Sequence, residues 1–287
     1  MDYMRQTPYS DPGAHAHLFD ALPDDIPAIG AVVRNLLIHY RGGGIEFTGD
    51  RLAEIDHRWV SAILGTDQRR NSSPLAVPRQ PVDRVVGCCR DYTLLFVSAL
   101  RHKGIPARSR IGFAAYFGPG FHYDHVVAEY WNGDRWVLTD PQLDPAADHG
   151  FDALDMPVGP FLSAAEVWLD TRAGRRDPDT FGVEPGSPYG GAWFINNYVY
   201  LQLAHLYGDE TLLWDVWPAH TAPGVPSTPD RTDEVANLLL AFEQPQAAEA
   251  LAAGYPEWGP AGKVYLMSPS GAPERWDTIP SEVAGLH

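Results

Sequence analysis

Val85-Val86-Gly87-Cys88-Cys89-Arg90-Asp91-Tyr92, with the apolar run that continues to Lys103, is the stretch on which the fold turns. A Gly followed by Cys at the mouth of a buried helix sets a thiol where backbone N–H groups and the helix dipole favour the thiolate. Tyr92, Leu94, Leu95, Phe96, Val97, Ala99 and Leu100 are apolar nearly all round, which predicts a helix packed inside a core. Gly104-Ile105-Pro106 then ends it, since Gly suits a left-handed C-cap and Pro cannot continue the helix. A cysteine at the start of a central helix is where a nucleophile would be placed.

Upstream, residues 1 to about 27 are rich in Pro, Asp and Gly and read as an irregular arm. Ile29 to Tyr40 carries Val32, Val33, Leu36, Leu37 and Tyr40 at helical spacing, closed by Gly42-Gly43-Gly44. Those glycines lack the preceding strand and the Lys-Ser/Thr of a phosphate cradle, so they read as a loop. Thr48-Gly49-Asp50 resembles a helix start, and Leu52, Ile55, Trp59 and Ile63 give the stripe of a helix ending near Gly65. Asp67 to Asp83 is polar and broken by Pro74, Pro78 and Pro81, a loop placed to wall a cleft before the cysteine.

Downstream, three strand-like runs follow: Ala107 to Phe117, Phe121 to Trp131 and Asp134 to Asp140. Asn132-Gly133 is a hairpin signal joining the last two. A central helix before a short antiparallel sheet predicts an α+β fold. From Pro141 the sequence turns dense in Pro, Gly and Asp. Helical patches fall at Ser163 to Thr171, Ala192 to Tyr207 and Thr232 to Ala253, with a short strand at Lys263 to Met267. The expected division is a core over 1–149 and a helix-rich extension over 150–287 that does not fold alone. Trp168, Trp193, Trp214, Trp217 and Trp258 are read as cement between them rather than as a substrate groove.

The chain has 287 residues, 45% hydrophobic and 20% charged, which is globular composition. A formal charge of −16 argues against nucleic acid or an anionic membrane as partner. No basic, apolar leader opens the sequence, and no apolar run approaches the roughly 20 residues of a membrane span. The two cysteines are adjacent, which excludes a disulfide framework and suits a reducing, cytoplasmic setting.

A thiol nucleophile needs a base, and the base needs an orienting acceptor. Cys89 opens the helix, His125 lies in the second strand-like run and Asp140 ends the third. Pairing of those runs by the hairpin would bring Asp140 beside the His125 ring. Cys88 is assigned to packing, because a disulfide between neighbours is strained. Asp91 complements the helix dipole and is read as structural. His15 and His17 lack a third metal ligand. His122 and His125 would point to opposite faces of a strand, so no metal is expected there; thiol acyl transfer itself needs no organic cofactor.

The motifs also carry a resemblance. Gly87-Cys88-Cys89-Arg90-Asp91-Tyr92, then Ala99 through Arg108 and Gly112-Phe113, resemble the transglutaminase-like superfamily, where a Cys-x-Asp-aromatic helix start leads to Gly-Ile-Pro-Ala-Arg and a strand. His125-Val126-Val127-Ala128-Glu129-Tyr130 and Arg135-Trp136-Val137-Leu138-Thr139-Asp140-Pro141 are similar to its His-bearing strand and its Trp-x-x-x-Asp-Pro ending. The blocks keep the family's order over about residues 80 to 145. The resemblance implies a papain-related core and a Cys-His-Asp triad, with Cys89 aligned to the nucleophile. Many members have Trp where this chain has Val127. No clear motif marks the oxyanion donor; Gln80 and Trp59 are candidates, Gln80 preferred, with the Cys89 backbone N–H as second donor.

These readings predict a cysteine-dependent acyl-transfer enzyme acting on an amide, peptide or thioester carbonyl, with water or an amine as acceptor. Two rivals come from other classes: a non-catalytic binding module on the same scaffold, and a thiol redox protein using Cys88-Cys89.

Overall fold

The structure is a computed structural model describing residues 2–221 and 229–280; the parts of the expected extension at 222–228 and 281–287 lie outside the described residues. Asp25 caps the first helix, α1 (Ile26–Leu36), by accepting the Ala28 N–H at 2.9 Å. The helix was expected to reach Tyr40. Instead Leu37–His39 extend as strand β1, which pairs in parallel with β2 (Val85–Gly87), His39 opposite Gly87. The ladder with β2 supplies these three residues with backbone partners in place of helical ones.

The single helix predicted to end near Gly65 is also interrupted. It becomes α2 (Gly49–Leu52), a 3-10 turn at Ala53–Asp56, and α3 (Val60–Arg70). The gap has a cause: the buried Arg90 guanidinium takes the carbonyls of His57 and Arg58, at 3.1 and 2.7 Å, which a continuous helix would have used internally. Past Gly65, α3 runs on to place Asp67 against Arg79. Two bonds of 3.0 Å in that buried pair pin the loop that leads to the cysteine.

The central helix α4 (Cys89–His102) is buried almost throughout and ends at Gly104, whose φ of +74° is the left-handed stop expected. β3 (Ala107–Ala114), β4 (His122–Trp131) and β5 (Trp136–Thr139) form the antiparallel sheet, with Asn132-Gly133 turning between the last two. The fold is thus the α+β arrangement expected, a cysteine-bearing helix packed on an antiparallel sheet.

Two short strands from beyond Pro141 extend this sheet and were not foreseen. β6 (Phe161–Ser163) pairs with β3, leading into α5 (Ala164–Arg172), and β7 (Phe181–Gly182) lies parallel to the start of β4. α6 (Ala192–Leu206) is buried along most of its length and packs on β3. The helix expected over 232–253 is two, α7 (Pro229–Leu240) and α8 (Pro245–Trp258), because Pro245 lacks the N–H a continuous helix needs and is tolerated only in a first turn. A second antiparallel sheet joins β8 (Asp215–Val216), β9 (Lys263–Leu266) and β10 (Arg275–Thr278).

Trp168, Trp217 and Trp258 are buried in the main core, and Trp193 packs on it; Trp214 packs on a smaller cluster around Ile38, Ile55 and Val86. Trp217 Nε1 donates to the Trp258 carbonyl at 2.8 Å, as a buried indole should. Among the described residues, no helix is long and apolar enough to cross a membrane.

The junction of β3 and β6 leaves no room at Gly112, where an added Cβ would lie 2.0 Å from the Leu162 carbonyl oxygen. Gly112→Ala is expected to cost about 3 kcal/mol by forcing the β6 backbone away, read as a lowered midpoint in urea unfolding. An unchanged midpoint would refute this tight apposition.

Candidate active site

The first turn of α4 is held by a buried cap. Cys88, extended, is the N-cap residue, and its N–H donates to Asp91 Oδ2 at 2.8 Å. Asp91 in turn meets Arg90 at 2.9 Å. A Cβ on Gly87 would approach Asp91 Oδ2 to 2.9 Å and press on the carboxylate that caps the helix. Cys89 follows as the first helical residue, its sulfur at the positive end of the dipole and only 5% of the residue exposed.

His125 and Asp140 come from adjacent strands. His125 sits in β4 opposite Gly112, and Asp140 follows β5 directly. Both are 1% exposed, and His125 Nε2 meets Asp140 Oδ2 at 2.7 Å. The same oxygen accepts the Tyr116 hydroxyl at 2.7 Å, while Oδ1 accepts the Gln142 N–H at 2.9 Å. Edge-on contacts with Tyr116 and Phe117, at 5.9 and 4.9 Å between centroids, fix the ring plane. With Nε2 engaged, Nδ1 is the nitrogen turned to the Cys89 sulfur, which lies within hydrogen-bonding reach of this ring. The three residues named from the sequence are therefore contiguous.

The electrostatics separate the charges. The Cys88 thiol, as donor to the Cys89 sulfur, is the strongest influence holding Cys89 well below the ordinary thiol range; burial opposes it, and the rings of His125 and His39 assist. The same bond, with burial, pushes Cys88 well up. Burial works against a charged His125, but Asp140 and the Cys89 sulfur outweigh it and push the imidazole up to about 10. Both shifts favour a thiolate paired with an imidazolium.

Sequence reasoning missed three residues at this site. Tyr116 and His39 reach it from elsewhere in the chain, and the half-buried Asp124, whose carboxylate accepts the Tyr198 hydroxyl at 2.5 Å, feels the charge of Cys89. Burial first, then the charge of Cys89, lifts Asp124 to about 6. No spacing rule ties His39 or Tyr198 to a cysteine so far away along the chain. Of the oxyanion candidates, Gln80 is exposed at the start of a 3-10 turn, and the Trp59 ring packs against Tyr9 at 5.0 Å. His122 stacks on Phe181 at 4.4 Å, away from His125, and His17 bonds the Ala14 carbonyl.

Residues 51–141 match the family model described as the transglutaminase-like superfamily, a span that holds Cys89, His125 and Asp140. Among solved structures, a candidate cysteine protease from Cytophaga hutchinsonii is similar at 16% identity and a TM-score of 0.34, over 56% of this chain and 44% of that one. No curated protein matches the chain.

The charge separation has a direct readout. Iodoacetamide followed by intact mass should modify Cys89 rapidly at pH 7, with Cys88 unreactive and the product lost in Cys89→Ala. Because Asp140 supports the imidazolium, Asp140→Asn should move the onset of alkylation to higher pH. Slow alkylation with an ordinary thiol pH profile would refute a resting thiolate.

Proposed function

We propose that the chain is a cysteine-dependent acyl-transfer enzyme acting on an amide, peptide or thioester carbonyl through Cys89, His125 and Asp140. One observation supports this above all: a nearly sealed sulfur, a ring charged beside it, and a buried carboxylate behind the ring form one hydrogen-bonded line. A structural cysteine has no use for that charge.

The Cys89 thiolate attacks the carbonyl carbon, forming the S–C bond while the C=O electron pair moves to oxygen. The tetrahedral species collapses, the C=O re-forms, and the leaving amine or thiol departs with the Nδ1 proton of His125. The neutral ring then takes a proton from the incoming acceptor as that acceptor displaces sulfur, which restores the starting pair. Asp140 keeps the ring on one tautomer throughout and stabilises its charged form.

Asp124 favours an amine as acceptor. A carboxylate within reach of the charge on Cys89 draws a cationic amine towards the site, and a group titrating near 6 takes up the proton that such an amine must lose before attack.

The test is turnover of a glutamine-containing dipeptide amide and of a small thioester, each with and without hydroxylamine. Hydroxamate formation would mark transfer and free acid alone would mark hydrolysis. Cys89→Ala and His125→Ala are expected to abolish turnover, and Asp140→Asn to reduce it about 10²–10⁴-fold. Turnover should also fall as pH rises past about 10, where the imidazolium that protonates the leaving group loses its proton. Fast alkylation of Cys89 without turnover of any acyl donor would favour the binding module; reversible loss of both thiols under mild oxidant would favour the redox protein.

A further inference from the structure

Two imidazoles meet the Cys89 sulfur, and they are held in opposite ways. His125 is backed by a carboxylate. His39 is backed by donors: its Nδ1 accepts the N–H groups of Arg41 and Gly42, both at 3.1 Å. A ring nitrogen that accepts two N–H bonds carries no hydrogen, which leaves the ring N–H on Nε2. Nε2–H is then the atom left to reach the sulfur.

The surroundings keep it there. His39 ends β1 opposite Gly87, two residues before Cys89. Tyr40 stacks on the ring at 5.3 Å, and the Tyr92 hydroxyl reaches the His39 backbone. The turn that supplies the donors closes by a 2.8 Å bond from the Gly43 N–H to the His39 carbonyl, and a Cβ on Gly43 would come within 2.6 Å of that oxygen. Among the described residues no carboxylate hydrogen-bonds this ring. It is built to give a hydrogen bond at the sulfur.

We propose that His39 is the side-chain donor of the oxyanion hole, its Nε2–H working with the Cys89 backbone N–H to hold the oxygen of the attacked carbonyl. This rests on the acyl-transfer reading. In the resting site the negative charge is on sulfur; after attack it is on an oxygen two bonds away. A donor already at the sulfur follows the charge with a small shift, and Cys89, as the first helical residue, offers an N–H that no turn of the helix uses. His39 keeps its proton through both steps, because the proton lost to the leaving group comes from His125. Gln80, exposed and with its side chain unbonded in the described residues, lacks any such backing.

The experiment compares two reactions of the same sulfur in wild type, His39→Ala and His39→Gln. Acylation by p-nitrophenyl acetate, followed as a p-nitrophenol burst, passes through an oxyanion; alkylation by iodoacetamide does not. His39→Ala is expected to slow acylation about 10²–10³-fold while alkylation changes less than about tenfold, and His39→Gln, which keeps a side-chain N–H, to recover most of the loss. Retained alkylation also certifies that the variant is folded. Equal slowing of both reactions, unchanged acylation, or a Gln variant no better than Ala would each overturn the assignment while leaving the triad standing. Absence of any Cys89-dependent burst in wild type would remove the acyl-transfer reading and this one together.

Discussion

The structure depends on how the first turn of α4 is anchored. Arg90 is fully enclosed, and its guanidinium joins Asp91 to the carbonyls of His57, Arg58 and Glu210. One side chain thus ties the helix start to the α2–α3 connection and to the segment after α6. A buried cation with that many acceptors is stable only if all are present, because each missing one leaves charge uncompensated in a low-dielectric interior. Local chemistry and long-range packing are therefore a single constraint. The sulfur of Cys89 is placed by it to within the tolerance of a helix cap, which no loop could match.

The segments beyond Pro141 belong to the same constraint. β6 and β7 flank the sheet that bears His125, Tyr198 of α6 holds Asp124, and Glu184 pairs with Arg41 at 3.7 Å beside the His39 turn. Glu210 further meets Arg101 of α4 at 3.1 Å. These contacts tie residues remote in sequence to both ends of α4 and to the strand that bears His125.

What the sequence made legible was local. The helix after Cys89, its stop at Gly104 and the Asn132-Gly133 hairpin are each written in consecutive residues, and the structure has all three. Cys89, His125 and Asp140 could be named together because a hairpin register relates two of them and a helix start supplies the third. The end of α1, the break at His57–Trp59 and strands β6, β7, β8 and β10 were not legible. Each is decided by a partner far along the chain, Val85–Gly87 for β1 and Arg90 for the break, so tertiary pairing overrides periodicity. His39 stayed hidden for the same reason: within a run of apolar helical spacing it reads as one more helix residue.

The shared oxygen of Asp140 carries a last consequence. His125 and Tyr116 both hydrogen-bond Oδ2, and the Gln142 N–H holds Oδ1. If the imidazole tilts away, the carboxylate still has two donors and does not become a bare charge in the interior. Ring motion is thereby relieved of most of the electrostatic penalty that a lone carboxylate partner would impose. The anion behind the imidazole stays solvated by the protein itself, whichever charge the ring carries.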